Sequence, residues 1–150
     1  MGAPKTSTRK KILIVDDEED IRAGLRMLLT PDYEVFVARD GAEAISRAQS
    51  QDLDLLLTDL NLPGINGFEV ARNIRQIIRG IKTVLHTASP SATTSSHVDM
   101  VIHKGMVGAS ELLSLLASLL DDSDTAENAT QTSLPDRGRR ELRIKPWTPL

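Results

Sequence analysis

Short apolar segments alternate along the chain with segments in which apolar residues recur every three or four positions. The apolar segments near 12–15 and 53–57 contain few polar residues, as expected for strands buried on both faces of a parallel sheet. The spacing of Ile21, Leu25 and Leu29 predicts a helix between such strands. Strands are predicted at about 11–15, 33–38, 53–57, 81–85 and 98–102.

Helix signals follow most of these strands. Asp40 is predicted to cap the second helix, with Glu43 three residues later completing a capping-box pattern. The third helix follows a Pro- and Gly-containing loop and is predicted to end near Arg79, because Gly80 is a stop signal. The last helix is predicted at about 110–120. Alternation of strands and helices on this scale predicts an α/β fold with a parallel sheet and helices on both faces.

Residues with useful chemistry follow four of the predicted strands. Asp16 and Asp17 follow the first strand, Asp59 the third, Thr87 the fourth and Lys104 the fifth. Open α/β sheets place their ligand sites at the carboxyl ends of the strands. Each residue also has an ordinary structural explanation, such as a turn cap, a strand residue or a surface lysine. Three carboxylates in one pocket would repel one another, however, and oxygen ligands without His or Cys favour Mg²⁺.

Four motifs occur in order at these strand ends: IVDDEED, LLLTDLNLPGINGFEV, VLHTAS and VIHK. Together they resemble the receiver domain of two-component response regulators, over residues 11–120. The resemblance implies a flavodoxin-like, doubly wound sheet of five parallel strands in the order 2-1-3-4-5. Strands one and three are then neighbours, so Asp16, Asp17 and Asp59 converge.

The resemblance also implies a magnesium-dependent phosphoacceptor. Asp59 would take a phosphoryl group from the phosphohistidine of a sensor histidine kinase or phosphotransfer protein, and Thr87 and Lys104 would contact the phosphoryl oxygens. The chain would signal by contact with a downstream protein, catalysing only its own phosphorylation and dephosphorylation. The implied Mg²⁺ ligands are Asp17 and Asp59 directly, Asp16 through water, and the backbone carbonyl of Asn61.

Three departures from the family pattern concern the route from phosphate to output. The segment SPSATTSS has no apolar stripe where a receiver carries its fourth helix, so that helix is predicted to be shortened or absent. Val101 stands where receivers commonly have an aromatic switch residue. Gly105 stands where they have a proline after the lysine, and we expect it to leave the loop around Lys104 less constrained.

Two alternative functions remain open. A pseudo-receiver would bind partners without being phosphorylated, and the altered output region keeps that interpretation alive. Haloacid-dehalogenase-like phosphatases also place an Asp nucleophile, a Thr and a Lys around Mg²⁺. They need a second acid two residues after the nucleophile, and Asn61 cannot serve as that acid. The phosphatase is therefore the weaker alternative.

Composition adds limits to these predictions. The chain has 150 residues, no cysteine and a formal net charge of −3, so thiolate sites are excluded and nucleic acid is an unlikely partner. No apolar segment is long enough to span a bilayer, so we expect a cytoplasmic protein without membrane contact. Residues 1–10 are predicted to be a disordered basic arm, and 121–150 a disordered tail with a basic cluster. The leucine-rich last helix predicts a homodimer or partner interface.

Overall fold

The computed structural model describes residues 9–132, and the side chains of residues 9–121. Most of the predicted basic arm (residues 1–8) and the end of the predicted tail (residues 133–150) lie outside the described residues. The chain divides into two units, Met1–Leu115 and Leu116–Leu150. The elements are β1 (Lys11–Val15), α1 (Glu19–Leu29), β2 (Glu34–Ala38), α2 (Gly41–Ser50), β3 (Leu55–Thr58), α3 (Gly67–Ile77), β4 (Lys82–Thr87), β5 (Met100–His103) and α4 (Ala109–Thr132).

The five strands form one sheet in the order β2-β1-β3-β4-β5, and every neighbouring pair is parallel. The flavodoxin-like fold class and strand order are therefore confirmed. Val15 pairs with Ala38 on one side and with Thr58 on the other. This register places the residues that follow β1 and β3 side by side at the carboxyl edge of the sheet.

Alternate residues of the strands face opposite sides of the sheet. Leu13, Leu56 and Leu85 belong to a buried cluster that includes alanines of α2 and Val70, Ala71 and Ile74 of α3. Ile12, Ile14, Leu55 and Leu57, which have the opposite parity, are also fully buried. The sheet is thus covered on both faces, which explains the nearly continuous apolar runs in its central strands.

Two helix starts show why the helices begin where they do. Asp40 Oδ1 accepts the backbone N–H of Glu43 at 2.9 Å, which confirms the predicted cap. Glu43 accepts instead from the N–H of Arg39, one residue before the cap, so the reciprocal half of that capping box is wrong. A complete capping box joins Asn66 and Glu69 at the start of α3, where the sequence predicted only a loop.

The predicted shortening of the fourth helix is confirmed for the described chain, since residues 88–99 between β4 and β5 contain no helix. One isolated bridge joins Ser95 and Val98 within this segment. Val98 is buried, and Ala92 packs against the core cluster together with Val101 of β5. A short irregular segment with two apolar contacts therefore occupies the place of a helix.

The predicted end of the last helix is wrong, because α4 continues from Ala109 to Thr132. No glycine or proline occurs between 109 and 132, and a polar composition alone does not terminate a helix. Of its six leucines, three are buried and three half-buried, so none is fully exposed. The homodimer or partner interface was predicted from an exposed stripe of leucines, and the described part of α4 has no such stripe. The dimer itself stays a prediction. The buried leucines are Leu112, Leu116 and Leu120.

No helix among the described residues is long and apolar enough to cross a membrane.

Candidate functional site

The acidic residues after β1 and β3 are held by backbone hydrogen bonds that extend the sheet. The N–H of Asp16 donates to the carbonyl of Ala38 at 3.2 Å, and the N–H of Asp59 donates to the carbonyl of Val15 at 2.8 Å. Asp16 is 2% exposed and Asp59 is 7% exposed. Both carboxylates therefore lie at fixed positions in a buried edge of the sheet, where they need a positive partner.

A third carboxylate, that of Asp17, completes the group. Asp16, Asp17 and Asp59 each offer an oxygen, and these atoms lie within 4.8 Å of one another. Asp17 is exposed, so the cluster opens to solvent on its side. Clustered carboxylate oxygens with an open side fit Mg²⁺, which takes oxygen ligands and keeps several waters. The structure thus brings the three predicted acidic ligands together.

Asn61 lies two residues beyond Asp59 in the loop between β3 and α3, and its side chain is exposed. The ligand predicted from this residue is its backbone carbonyl, and that assignment stays a prediction. The position is not occupied by an acid, so the loop offers no carboxylate where a phosphatase of the haloacid-dehalogenase type requires its general acid/base.

Lys104 supplies the positive charge at the inner side of the cluster. Its Nζ lies 2.8 Å from Asp16 Oδ2 and 3.3 Å from Asp59 Oδ2. Burial alone would lower the pKa of Lys104, but the hydrogen bond to Asp16 and the charges of Asp16 and Asp59 together hold that pKa above its usual value. Lys104 is therefore a permanent cation between two buried carboxylates and has a defined orientation.

The backbone around Lys104 is closed by two hydrogen bonds. The N–H of Lys104 donates to the carbonyl of Thr87 at 2.8 Å, and the N–H of Met106 donates to the carbonyl of His103 at 3.1 Å. Gly105 lies between them with φ of 82°. The loop is a tight turn in the structure, and the expectation that Gly105 leaves it less constrained than a proline would stays a prediction.

Thr87, the last residue of β4, is fully buried. Its Oγ1 accepts the backbone N–H of Ser89 at 3.1 Å, which leaves the hydroxyl hydrogen available for an acceptor in the pocket. Its backbone carbonyl fixes Lys104, so the predicted hydroxyl and the predicted ammonium are joined through one hydrogen bond. The structure therefore brings Thr87 and Lys104 to the same edge as the acids.

Several supporting residues were not predicted. Arg22 of α1 donates from Nη1 to the carbonyl of Asp16 at 2.8 Å, and Asp16 Oδ1 accepts the N–H of Glu18 at 2.9 Å. A Cβ added to Gly67 would lie 2.3 Å from the carbonyl oxygen of Asp59. Helix α3 can therefore approach Asp59 this closely only with glycine at its first position. The Asn66–Glu69 cap pattern was a usable signal for that helix start, whereas Arg22 left no signal in the sequence.

His86 directly precedes Thr87 on β4. Burial is the main cause that lowers its pKa, and the charge of Lys104 adds to the effect, while the charges of Asp16 and Asp59 oppose it. Its buried Nδ1 has no hydrogen-bond partner among the described residues. An imidazole in this environment is neutral at pH 7, and it adds no charge to the acidic pocket.

The fold and this edge of the sheet define a class: an α/β protein with an acidic pocket, a lysine and a buried threonine at the carboxyl ends of its strands. Residues 12–114 match the family described as "Response regulator receiver domain". This match covers more than half of the chain, and the chain belongs to that family.

Individual relatives agree with the family assignment. The chain is 48% identical over 67 residues to the transcriptional regulatory protein ResD of Bacillus subtilis, covering 44% of this chain and 28% of that protein. It is 39% identical over 88 residues to a response regulator of Streptococcus pneumoniae, covering 58% of this chain and 40% of that protein. The chain spans between 7% and 40% of the length of the curated relatives it matches first.

Solved structures show the same fold. A response regulator protein of Thermotoga maritima, in complex with Mg²⁺ and BeF, matches with a TM-score of 0.66 and 36% identity, covering 73% of this chain and 98% of that chain. A CheY-like receiver domain protein of Methanospirillum hungatei matches with a TM-score of 0.71 and 26% identity, covering 79% and 99%. The Thermotoga regulator is also seen in complex with the histidine kinase ThkA, where the identity is 36%, the TM-score 0.65 and the coverage 74% and 98%.

Proposed function

We propose that this chain is a phosphoacceptor, in which Asp59 receives a phosphoryl group from a histidine kinase or phosphotransfer protein in a magnesium-dependent reaction. The observation that carries the proposal is the position of the buried Asp59 carboxylate. One of its oxygens lies within 4.8 Å of oxygens of Asp16 and Asp17, and Oδ2 lies 3.3 Å from the Lys104 ammonium. Three clustered carboxylates with one ammonium are a costly arrangement for stability alone, so the concentrated charge favours a function that uses it.

The chemistry requires an in-line attack of an Asp59 oxygen on phosphorus. A P–O bond forms to the aspartate while the P–N bond of the donor phosphohistidine breaks, and the imidazole leaves with the bonding electrons. Phosphoryl transfer depends mainly on positioning and charge neutralisation, because the transition state is loose. The hydrogen bond from the Asp59 N–H to Val15 fixes the nucleophile for this attack.

Lys104 and Thr87 are assigned to the transferred group. In the unphosphorylated protein the Lys104 ammonium pairs with Asp16 and Asp59. During the transfer it can pair with the phosphoryl oxygens, on which negative charge accumulates. The Thr87 hydroxyl already accepts one hydrogen bond, from Ser89, and its own hydrogen can be donated to a phosphoryl oxygen. Both groups are preorganised by the backbone bond between them, so little reorganisation accompanies the reaction.

The acids are assigned to Mg²⁺. Asp17 and Asp59 are its proposed direct ligands, with Asp16 through water and the Asn61 carbonyl as the remaining protein ligand. When bound, the ion neutralises the repulsion among the carboxylates and the incoming phosphoryl oxygens. The Mg²⁺ and BeF bound to the Thermotoga regulator support this assignment for a chain that is 36% identical.

The donor and the output are proposed from the family. A histidine kinase is the proposed donor, and the complex between the Thermotoga regulator and its kinase supports that choice. The phosphorylated chain would act by contact with a downstream protein, and it would hydrolyse its own acyl phosphate. A cytoplasmic location fits these partners and is part of the proposal.

The proposal is tested by incubating the protein with acetyl phosphate or phosphoramidate and Mg²⁺, then locating the added phosphoryl group by mass spectrometry. Asp59→Asn should lose all labelling, because the amide cannot act as a nucleophile. Asp17→Asn should label at least about tenfold more slowly, because it removes a metal ligand. Asp32→Asn is the matched control, since this exposed carboxylate lies far from the pocket in sequence and should label like the native protein.

Labelling of Asp59→Asn to the native stoichiometry would show that another residue is the acceptor. A native protein that takes no phosphoryl group from either donor, yet binds partners, would be a pseudo-receiver. Hydrolysis of small phosphate esters with turnover would instead indicate a phosphatase. The three results separate the proposed function from its two alternatives.

A further inference from the structure

The turn after β5 carries Lys104, whose side chain reaches Asp16 and Asp59 across the edge of the sheet. Asp59 follows β3 and Asp16 follows β1, while Lys104 follows β5 at the sheet edge. Neighbouring strands lie about 4.8 Å apart, so Lys104 must reach over β4 toward Asp59, and over β3 as well toward Asp16. A long side chain makes this reach only from a backbone that points it along the sheet edge.

Two hydrogen bonds hold that backbone on either side of the lysine. The N–H of Lys104 continues the ladder between β5 and β4, and the N–H of Met106 closes a four-residue turn on the carbonyl of His103. Lys104 and Gly105 are the two central residues of this turn. The φ of 82° at Gly105 is the value that a type II turn requires at its third residue.

A residue with a side chain is strained in this conformation, because its Cβ approaches the backbone carbonyl. The space around Gly105 is open, with no other atom within 4 Å of a Cβ built there. Alanine at 105 would therefore meet no steric clash with its surroundings. The only penalty is the backbone conformation, and the chain can relieve it by opening the turn that carries Lys104.

We propose that Gly105 is a positioning residue for phosphoryl transfer, because its left-handed conformation closes the turn that aims Lys104 at Asp16 and Asp59. This inference rests on the proposed function, since it concerns the cation that accompanies the transferred group. It assigns a role to a glycine that the sequence predicted to loosen the same loop. The effect of Gly105 on the reaction is exerted through Lys104.

The test compares Gly105→Ala with Gly80→Ala. Gly80 also has a left-handed φ, of 84°, and also has no atom within 4 Å of an added Cβ. It precedes β4, at the edge of the sheet opposite the acids. The two substitutions impose the same backbone strain, so circular dichroism and thermal unfolding should change equally in both variants. Only one of them lies beside the lysine.

The rate of labelling by acetyl phosphate and Mg²⁺ is the first measurement. Gly105→Ala should label about tenfold to a hundredfold more slowly than the native protein, the loss expected from a misplacement of about 1 Å. Gly80→Ala should stay within about twofold. Gly105→Asn should recover most of the rate, because asparagine adopts the left-handed conformation more readily than alanine.

Two further measurements separate positioning from general damage. In a Lys104→Ala background, Gly105→Ala should slow labelling no further, because the group it positions is already absent. Mg²⁺ affinity measured without a phosphodonor should not weaken in Gly105→Ala, since lysine is not a metal ligand. A weakened affinity would show that the acidic pocket itself had been damaged and would overturn the inference.

Equal labelling rates in Gly105→Ala and Gly80→Ala would also overturn it, as would a full additional loss in the Lys104→Ala background. A failure of the proposed function has a different signature, because the native protein would then take no label on Asp59 at all.

Discussion

Asp99 joins the end of the helix-free segment to the sheet, and its replacement by alanine is predicted to destabilise the protein measurably. Its Oδ2 accepts the N–H of Thr83 at 2.9 Å, and its own N–H donates to the Thr83 carbonyl at 2.8 Å. The same Oδ2 lies 3.5 Å from Arg75 Nη1 of α3. One carboxylate thus connects β4, α3 and the residue before β5.

The magnitude follows from what alanine leaves unpaired. Thr83 is 0% exposed, so its N–H would lose its partner in a buried position, at a cost of about 1–3 kcal/mol. The ion pair with Arg75 has side chains 29% and 27% exposed and adds about 0.2–1 kcal/mol. A total of about 1–4 kcal/mol lowers the melting temperature by about 2–16 °C in a chain of this size.

Asp99→Asn is the matched control, because its side-chain oxygen can still accept from the Thr83 N–H while the charge is gone. It should cost at most about 1 kcal/mol, the contribution of the ion pair. The assay is urea denaturation followed by circular dichroism, with labelling by acetyl phosphate as a check that the pocket is intact. Equal losses of stability in Asp99→Ala and Asp99→Asn would refute the reasoning, since the Thr83 hydrogen bond would then contribute nothing.

Two further predictions concern Lys104 in the pocket and His86 beside it. Lys104→Met should destabilise the metal-free protein by about 3 kcal/mol, because buried Asp16 and Asp59 lose their cation. Millimolar Mg²⁺ should then restore more stability to this variant than it adds to the native protein. Equal effects of Mg²⁺ on the thermal unfolding of both proteins would contradict this prediction. His86 has a pKa below its usual 6.5 in the folded state, so the unfolded chain binds more protons and stability falls as the pH drops through about 6.5. His86→Leu should flatten this loss in denaturation measured between pH 7 and pH 5, and identical slopes would argue against the assignment.

The strands and the site edge could be predicted because their signals are local and strong. The segment Leu55–Thr58 is nearly all apolar and directly precedes an acid, Asp59, as expected for a central parallel strand that ends at a site. The acids then converge because the parallel register aligns strand ends, as the pairing of Val15 with Thr58 shows. The sequence was therefore sufficient to predict that these acids converge, because a parallel sheet places the ends of neighbouring strands side by side.

Other features were missed for different reasons. The capping box of Asn66 and Glu69 was a usable sequence signal, but Asn66 was assigned to the loop before the helix. The end of α4 was predicted too early because a polar composition was taken as a stop, although no glycine or proline is present. The turn at Gly105 was not predicted, because the sequence shows the conformational freedom of glycine and not the φ of 82° that it adopts.

Hydrogen bonds connect the acidic pocket and the sheet to residues 88–99, the segment that replaces the fourth helix. Thr87 Oγ1 accepts the N–H of Ser89 at the start of residues 88–99, and Asp99 is bound to Thr83 at their end. Val101 packs into the core cluster and carries no ring that could turn between two positions. The Thr87 hydroxyl therefore contacts this segment directly through Ser89. The far end of the segment is held at Asp99, and the residues between them are mostly exposed.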